Sequence, residues 1–180
     1  MTTLTTVASE ENIATSTDVS NQASGGRSVV MVIPLRDRDG HAHKFLENMA
    51  SFAAETEAAT GVETDYHVVF AEVLDDPLFN KGVHFNIGFE YVSSFNWLNP
   101  KTCVAVQDVD SLPQLGVDFA DCDPPTHMAR EVQEYGWKHM NDHFCGISFS
   151  MTVAKWREVN GMSNKYTGWA MADNVSSPKP

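Results

Sequence analysis

The sequence predicts a single α/β domain in which a mostly parallel β-sheet carries helices on both faces. The segment Ser28–Ile33 is a continuous apolar run, typical of a strand buried on both faces of a parallel sheet. Strand-like and helix-like segments then alternate along the chain with short connections, which favours right-handed crossovers between parallel strands. With 180 residues, 42% of them apolar, the chain can form one sizeable core. We therefore expect one domain.

The first predicted elements are a buried strand and a crossover helix. Pro34 is predicted to end the strand Ser28–Ile33. From His41 to about Ala59 apolar residues recur at helical spacing, and Gly61 is predicted to end this helix. The apolar positions of the helix are Phe45, Met49, Phe52 and Ala53.

Two further strands and a second helix follow. The strands are predicted over Tyr66–Val73 and Thr102–Gln107. Between them, after a turn at residues 75–77, apolar residues fall four apart, which predicts a helix. These positions are Phe79, Val83, Ile87 and Tyr91.

The last third of the chain begins irregularly. Periodicity is poor from Ser111 to Asp142, where three prolines interrupt it, so we expect an irregular excursion over the site. A strand is then predicted over Phe144–Met151 and a short helix over Thr152–Asn160, with Gly161 at the carboxyl end of that helix.

Both ends of the chain are predicted to be disordered, leaving a domain over residues 28–174. Residues 1–27 are rich in Ser, Thr, Ala, Asn and Gly and hold too few large apolar residues to offset their ordering entropy. Residues 175–180 also have no helical or strand pattern. The sequence contains neither a secretory signal pattern nor an apolar run long enough to span a bilayer, so we expect a soluble chain.

Charge and cysteine content limit the partners. Twelve Lys and Arg residues stand against 24 Asp and Glu residues, and the formal net charge of -12 opposes binding to nucleic acid. Cys103, Cys122 and Cys145 have neither the even number nor the short paired spacing of a disulfide framework or a zinc site. We expect them to be buried or free thiols.

Two polar clusters follow predicted strands, where ligands bind in open α/β sheets. Arg36 and Arg38 follow the first strand, and their planar donor groups suit a phosphate or a uracil carbonyl, although the pair taken alone favours the alternative, a solvated charged turn. Asp108 and Asp110 follow the third strand. In an extended segment both carboxylates would point the same way and could bind a hard cation bridged to substrate phosphates, whereas a capped or solvated loop is the alternative.

A third cluster lies near the carboxyl end of the chain. Trp169 follows a glycine and precedes Asp173 by four residues. A tryptophan ring can stack on a sugar face while an aspartate accepts a hydroxyl proton. The alternative is a core tryptophan and a helix-capping aspartate.

Four segments, in this order, resemble the β-1,4-galactosyltransferase family, and together they cover nearly everything from about Val29 to Asp173. Residues 32–38 (Val-Ile-Pro-Leu-Arg-Asp-Arg) resemble its P-F-R-x-R opening, and residues 79–89 resemble its F-N-R-A-x-x-x-N-V-G-F helix. Residues 106–113 resemble its metal motif D-V-D-L-x-P, and residues 160–169 resemble its N-G-x-x-N-x-x-W-G-W segment. The tract Asn-Gly-Met-Ser-Asn at 160–164 looks most like the xylosylprotein galactosyltransferase branch.

The resemblance implies a GT-A-type, Rossmann-like domain that uses Mn²⁺ or another divalent cation, a UDP-sugar donor and a glycan or xylosylated protein acceptor. By position, Asp110 would bind the metal with Asp108 in support, and Asp173 would be the general base of an inverting transfer. The remaining matched residues would bind the donor: Pro34, Arg36, Arg38, Phe79, Lys81, Trp169 and Gly146.

Departures from the family pattern leave the donor sugar and the activity open. Lys81 replaces an arginine, Cys145 replaces the first residue of a glycine pair, and His143 fills an aromatic position that helps to select the donor sugar. Ala172 replaces the acid before the base. The resemblance also implies a further strand, histidine-containing metal ligands and a Golgi membrane anchor. The sequence matches none of these, so we expect a catalytic fold that is truncated at its carboxyl end. We therefore keep two alternatives: a non-catalytic nucleotide-sugar-binding fragment or pseudoenzyme, and a hexosyltransferase with another donor.

Overall fold

A computed structural model describes residues 3–8, 27–72, 78–94, 96, 98–139 and 146–168. A six-stranded sheet with the strand order β1-β3-β2-β4-β8-β5 dominates these residues. Its first four strands are parallel, and β8 and β5 are antiparallel to their neighbours. The strands are β1 Thr3–Ala8, β2 Arg27–Leu35, β3 Thr64–Glu72, β4 Cys103–Gln107, β5 Thr126–His127, β6 Glu131–Val132, β7 Lys138–His139 and β8 Ser148–Thr152. The helices are α1 Asp39–Thr60, α2 Lys81–Ser93 and α3 Val153–Glu158.

The strand β2 confirms the predicted buried strand but runs through Pro34 to Leu35. All residues from Val29 to Leu35 are buried, as expected for a strand covered on both faces. The predicted end at Pro34 is wrong because β4 pairs with β2 only as far as Val32. Beyond that point β2 has a strand on one side only, where a residue without an N–H is tolerated.

The helix α1 confirms the predicted crossover helix. Phe45, Met49 and Phe52 are its buried residues, at the predicted spacing. Gly61 follows the helix with a left-handed φ of 70°, and its N–H donates to the carbonyl oxygen of Glu57 at 2.8 Å. A glycine adopts this conformation without the strain a Cβ would cause, and so it ends the helix.

The second helix is present, but the predicted apolar stripe is not its buried face. Ile87 is 46% exposed, whereas the buried residues are Gly82, His84, Phe85, Gly88, Phe89 and Val92. Positions four apart drift by about 40° around a helix at each step, so such a stripe does not remain on one face. Gly88 also brings the helix so close to β2 that a Cβ on it would lie closer than 3.0 Å to Val32 Cγ1.

Two hydrophobic clusters confirm that helices cover both faces of the sheet. Alternate residues of β2 enter different clusters: Met31 packs with α1, and Val30 packs with α2 and α3. The first cluster includes Phe45, Met49, Phe52, Tyr66, Phe70 and Phe119. The second includes Val69, Phe85, Phe89, Val104, Val153 and Trp156.

The region between β4 and β8 confirms the predicted irregular excursion. The residues described there form the short strand β5, the two-residue pair of β6 and β7, and one 3-10 turn over Gln133–Tyr135. The strand predicted over Phe144–Met151 is described only from residue 146 onward, where β8 spans Ser148–Thr152. The helix α3 is shorter than predicted, and Gly161 has a left-handed φ of 67°.

The predicted disorder of residues 1–27 is wrong for Thr3–Ala8. These residues form β1, which pairs in parallel with β3 from Thr3 opposite His67 to Ala8 opposite Glu72. Large apolar side chains are not required for this, because main-chain hydrogen bonds join an edge strand to the sheet and β-branched threonines favour extended backbone. Residues 9–26 and 175–180 lie outside the described residues. Among the described residues, α-helices are too short or too polar to cross a bilayer.

The expectation of buried or free thiols is wrong for two of the three cysteines. Cys103, at the start of β4, forms a disulfide with Cys122, 19 positions further along the chain, with their Cα atoms 5.9 Å apart. The spacing could not reveal this bond, because the path of the irregular segment between β4 and β5 brings Cys122 into the hydrophobic cluster that contains Cys103. Cys145 lies outside the described residues.

Candidate functional site

The candidate site lies where β2 and β4 end and α2 begins. Asp37, between β2 and α1, has a φ of 51°, a left-handed conformation that aspartate tolerates better than most residues. The chain therefore turns sharply, and the α1 N-cap residue Arg38 accepts the N–H groups of His41 and Ala42 on its carbonyl oxygen. Arg36 is half-buried, and its Nε lies 3.9 Å from a carboxylate oxygen of the exposed Asp37.

Arg38 connects the end of β2 to the acidic turn after β4. Its Nη1 lies 2.6 Å from Asp110 Oδ2, in a charge-assisted hydrogen bond. The two residues are 72 positions apart in the sequence. The parallel pairing of β2 with β4 brings their carboxyl ends together, so the two predicted clusters become one site.

Lys81 connects the first turn of α2 to the other acid of the pair. Its Nζ lies 2.7 Å from Asp108 Oδ1, and the two side chains are only 12% and 26% exposed. The ammonium group also lies 5.9 Å from the centre of the Phe85 ring. Because water screens this ion pair less than a surface pair, it contributes more to the local electrostatics.

The acidic turn differs from the extended geometry that the sequence predicts. The strand β4 ends at Gln107, and the N–H of Ser111 donates to the carbonyl oxygen of Asp108 at 3.1 Å across a turn. The N–H of Asp108 donates to the carbonyl oxygen of Ile147 at 2.8 Å. Because the segment is not extended, its carboxylates contact two different basic side chains. Asp108 contacts Lys81, and Asp110 contacts Arg38.

Phe79 and the start of α2 form the wall next to the acidic turn. Asn80 caps the helix by accepting the N–H of Val83 on its side-chain oxygen at 3.1 Å. The ring of the half-buried Phe79 lies 4.8 Å from that of His84, which is fully buried and whose Nδ1 lies 2.8 Å from the carbonyl oxygen of Asn80. These contacts fix Phe79 close to Lys81.

The segment 160–168 lies against α2. Asn86 forms hydrogen bonds with Met162 and Asn164, and the N–H of Gly168 donates to the carbonyl oxygen of Phe79 at 2.8 Å. The structure thus brings together two of the motif segments, residues 79–89 and 160–168, that are more than 70 positions apart.

Two of the predicted donor-binding residues, Pro34 and Gly146, have no polar side chain and could contribute only through backbone and shape. Pro34 is buried within β2. The carbonyl oxygen of Gly146 accepts the N–H of Ser148 at 2.8 Å and lies 3.0 Å from His127 Nε2. Trp169, Asp173, Ala172, Cys145 and His143 lie outside the described residues.

The resolved pKa shifts lie at the opposite, amino end of the parallel strands. Burial raises the pKa of Tyr66 to about 12. A hydrogen bond from Arg27 lowers the pKa of the Asp118 carboxyl and raises that of the Arg27 guanidinium. Burial lowers the pKa of His67, although Asp65, 3.1 Å away, opposes this effect.

Family models match almost the whole chain. Residues 3–123 match the model described as the N-terminal region of glycosyl transferase group 7. The chain belongs to glycosyl transferase group 7. Residues 126–174 match a second model, described as the N-terminal domain of galactosyltransferase.

Curated relatives within glycosyl transferase group 7 confirm the resemblance to β-1,4-galactosyltransferases. The chain is 25% identical over 166 residues to mouse beta-1,4-galactosyltransferase 4, covering 84% of this chain and 45% of that protein. It is 26% identical over 149 residues to Drosophila melanogaster beta-1,4-galactosyltransferase 7, covering 81% and 42%. It is 24% identical over 147 residues to the xylosylprotein 4-beta-galactosyltransferase of Caenorhabditis elegans, covering 80% and 47%. The chain therefore spans about half the length of these relatives.

Solved structures of the group confirm the predicted GT-A-type α/β fold. A mutant Drosophila beta-1,4-galactosyltransferase 7 in complex with manganese, UDP-Gal and xylobiose superposes with a TM-score of 0.59 and 24% identity, covering 81% of this chain and 57% of that one. The catalytic domain of the Drosophila enzyme in complex with xylobiose gives a TM-score of 0.60, covering 82% and 58%.

Sequence reasoning missed the amides that join the two motif segments of this group 7 chain. Asn80 and Asn86 belong to the motif segment 79–89 and Asn164 to the segment 160–169, but no role was predicted for them. A signal was available for Asn80, since asparagine before a helical pattern is a favoured N-cap. Asn86 and Asn164 give no such local signal, because their partners are distant in the sequence.

Proposed function

We propose that this chain is the nucleotide-sugar-binding part of a metal-dependent glycosyltransferase that transfers a hexose, galactose from UDP-galactose, to a sugar hydroxyl with inversion. The observation that carries the proposal is the pairing of Arg38 with Asp110 and of Lys81 with Asp108 at one edge of the sheet. Basic groups suited to a diphosphate and acidic groups suited to a hard cation thus meet in one place. Xylobiose, bound by the Drosophila relative, supports a xylosylated acceptor and hence proteoglycan linker synthesis.

The residues of the first two motifs would bind the nucleotide. Arg36, Arg38 and Lys81 would donate to the uridine diphosphate, and the ring of Phe79 would contact it from the start of α2. Pro34 would shape the end of β2, and Gly146 would leave room for the donor sugar beside β8.

Asp108 and Asp110 fit a divalent cation through the chemistry of their oxygens. Carboxylates are preferred ligands of Mg²⁺ and Mn²⁺, which commonly complete their coordination with substrate phosphates and water. Among the described residues no group of three or more Asp, Glu, His or Cys side chains converges. Asp108 and Asp110 would supply two of the protein ligands. When bound, the cation would neutralise charge that develops on the leaving diphosphate.

Asp173 and Trp169 would act on the acceptor. Trp169 would pack against donor and acceptor sugars. The Asp173 carboxylate would accept the proton of the acceptor hydroxyl, whose oxygen forms a bond to the anomeric carbon as the bond from that carbon to the diphosphate oxygen breaks. Attack from the face opposite the leaving group inverts the anomeric centre.

Another UDP-sugar donor is the second candidate. A Lymnaea stagnalis relative, 26% identical over 147 residues, is named as a beta-1,4-N-acetylglucosaminyl-transferase. His143 stands at the position that the family uses for donor selection. Measuring transfer and hydrolysis with a panel of UDP-sugars separates the two candidates, and the absence of both reactions with every donor supports a non-catalytic nucleotide-sugar-binding role.

Calorimetric titration of UDP into the chain tests the nucleotide site, with Mn²⁺ present and then removed by a chelator. We expect tighter binding with Mn²⁺, because a cation held by Asp108 and Asp110 would offset the repulsion between the diphosphate and these carboxylates. Equal affinity in the two titrations would contradict the metal-dependent part of the proposal, and no binding in either would contradict the proposal as a whole.

A further inference from the structure

We infer that Asn86 is a positioning residue of the proposed transfer site, which holds the segment 160–168, directly before Trp169, against α2, the helix that carries Lys81 and follows Phe79. This inference rests on the proposed function. It assigns a role to an amide that contacts neither the acidic turn nor the basic residues in any described contact.

Asn86 uses both ends of its amide on the segment 160–168. Its Nδ2 donates to the carbonyl oxygen of Met162 at 2.8 Å and to Asn164 Oδ1 at 2.7 Å. Its Oδ1 accepts the N–H of Met162 at 2.9 Å. An asparagine side chain matches this mixed pattern of one N–H and two oxygens, whereas a carboxylate can only accept hydrogen bonds.

The backbone of the segment approaches α2 too closely for ordinary side chains. A Cβ on Gly161 would lie closer than 3.0 Å to Asn86 Oδ1, and a Cβ on Gly82 would lie closer than 3.0 Å to the carbonyl oxygen of Ser163. Gly161 also has a left-handed φ of 67°, which disfavours a substitution independently of space. These two glycines allow the amide contacts to form.

Two more hydrogen bonds attach the segment to the start of α2. Asn80 Nδ2 donates to the carbonyl oxygen of Asn164 at 2.9 Å. The N–H of Gly168 donates to the carbonyl oxygen of Phe79 at 2.8 Å. The segment is thus held near its beginning, in its middle and at its end by α2 and the two residues directly before it.

The last of these attachments immediately precedes the proposed acceptor-side residues. Gly168 is followed directly by Trp169, and Asp173 comes five residues after Gly168. A displacement of about 1 Å at a reacting group can cost on the order of 100-fold in rate. By holding residues 160–168 on α2, Asn86 would limit the positions that the proposed base, five residues further on, can take relative to the nucleotide.

The variant Asn86→Asp tests this role. It keeps the size of the side chain and the oxygen that accepts from Met162, but it places an oxygen opposite the carbonyl oxygen of Met162 and Asn164 Oδ1. Ile87→Asp is the matched control, because it adds the same charge at an adjacent, partly exposed position. Asn164→Ala removes only one Asn86 contact and serves if Asn86→Asp does not fold.

Two measurements on the full chain decide the outcome. Hydrogen exchange should be at least about 10-fold faster at the amides of Met162 and Gly168 in Asn86→Asp than in Ile87→Asp, while the Kd for UDP with Mn²⁺ changes less than about 3-fold. The ratio of transfer onto a xyloside to hydrolysis of UDP-galactose should fall at least about 10-fold. This ratio does not depend on the folded fraction, so a merely structural role would leave it unchanged.

Unchanged exchange or an unchanged ratio in Asn86→Asp would overturn the inference, as would a loss of UDP affinity that accompanies a general loss of folding in both Asn86 and Asn164 variants. Absence of UDP binding to the unmodified chain would instead overturn the proposed function. The exchange comparison would still decide separately whether Asn86 holds the segment.

Discussion

The ammonium nitrogen of Lys81, in the first turn of α2, lies 2.7 Å from a carboxylate oxygen of Asp108, just after β4. A similar pair joins Arg38 to Asp110 at 2.6 Å. The acids proposed to bind the cation therefore contact the basic groups proposed to bind the diphosphate. A cation and a diphosphate that enter together can replace these pairs without leaving a charge unpaired, whereas either ligand alone must compete with an internal ion pair.

Lys81→Met should change the affinities for the two ligands in opposite directions. The substitution removes the lysine that competes with Mn²⁺ for Asp108, so Mn²⁺ alone should bind more tightly, while the diphosphate loses a charged donor. Hydrogen bonds to charged groups contribute about 1.5–3 kcal/mol, which corresponds to about 10-fold or more in each affinity. Calorimetry with Mn²⁺ alone, and with UDP at saturating Mn²⁺, measures both changes.

Lys155→Met is the matched control for Lys81→Met. Lys155 pairs with Glu158 on α3, and its substitution removes the same charge from the chain. If both variants alter Mn²⁺ affinity equally, the effect comes from net charge, and the prediction that Lys81 competes with Mn²⁺ for Asp108 is wrong.

Asp110→Ala should abolish the effect of Mn²⁺ on UDP binding while leaving the fold intact. The side chain of Asp110 is 46% exposed, and its ion pair with Arg38 is accordingly screened by solvent. We expect a melting temperature within about 2 °C of the unmodified chain, as for most surface substitutions. Titration of UDP with and without a chelator, followed by a thermal scan, checks both parts. Retained metal dependence would contradict the assignment of Asp110.

Reduction of the Cys103–Cys122 disulfide should lower the free energy of unfolding by about 3 kcal/mol. The bond joins residues 19 positions apart. A disulfide that closes a loop of this size stabilises the folded state by about 3 kcal/mol, because it lowers the entropy of the unfolded chain. Urea denaturation with and without dithiothreitol measures the loss. A double Cys103→Ser, Cys122→Ser variant is the control and should show no dependence on reductant. Stability unaffected by reductant in the unmodified chain would contradict the disulfide.

His67 should make the chain less stable in mild acid. Burial lowers its pKa below the value of about 6.5 expected in the unfolded chain, so the unfolded state binds the proton more readily. This contribution to stability is complete above about pH 6.5, is lost as the pH falls from there through the folded-state pKa, and is constant below it. Urea denaturation at a series of pH values should show a shallower dependence in His67→Gln, and an identical dependence would contradict the prediction.

Local patterns predicted the elements whose structure depends on neighbouring residues. The apolar run of β2 and the glycine after α1 are such cases, because strand burial and a left-handed C-cap are visible in a few consecutive residues. The positions of Arg38 and Asp110 after β2 and β4 could also be predicted, and the two side chains meet because strand ends meet in a parallel sheet. Their role in a binding site stays a prediction.

Features that depend on distant partners were not predictable from local patterns. The buried face of α2 is set by the close approach of Gly88 to Val32, the disulfide by the return of the excursion to β4, and strand β1 by the free edge of β3. The geometry of the acidic turn also depends on distant partners. The chain turns after β4, and Asp108 and Asp110 contact basic side chains on two different parts of the chain.

Gly88→Ala and Gly40→Ala should change stability in opposite directions, although both place alanine in a helix. Alanine is favoured over glycine in a helix by about 1 kcal/mol, so this gain is common to both variants. At Gly40, in the first turn of α1, no atom lies within 4 Å of the added Cβ, and we expect the gain alone, about 0.5–1 kcal/mol.

At Gly88 the added Cβ would lie closer than 3.0 Å to Val32 Cγ1 and within 3.2 Å of Ala71 Cβ. Both atoms belong to strands that cannot move independently of the sheet, so the overpacking cost of about 1–3 kcal/mol exceeds the gain and the net change is destabilising. Urea denaturation of both variants measures the two changes under the same conditions, and a gain in stability at Gly88 would show that α2 does not pack on β2 as closely as the structure places it.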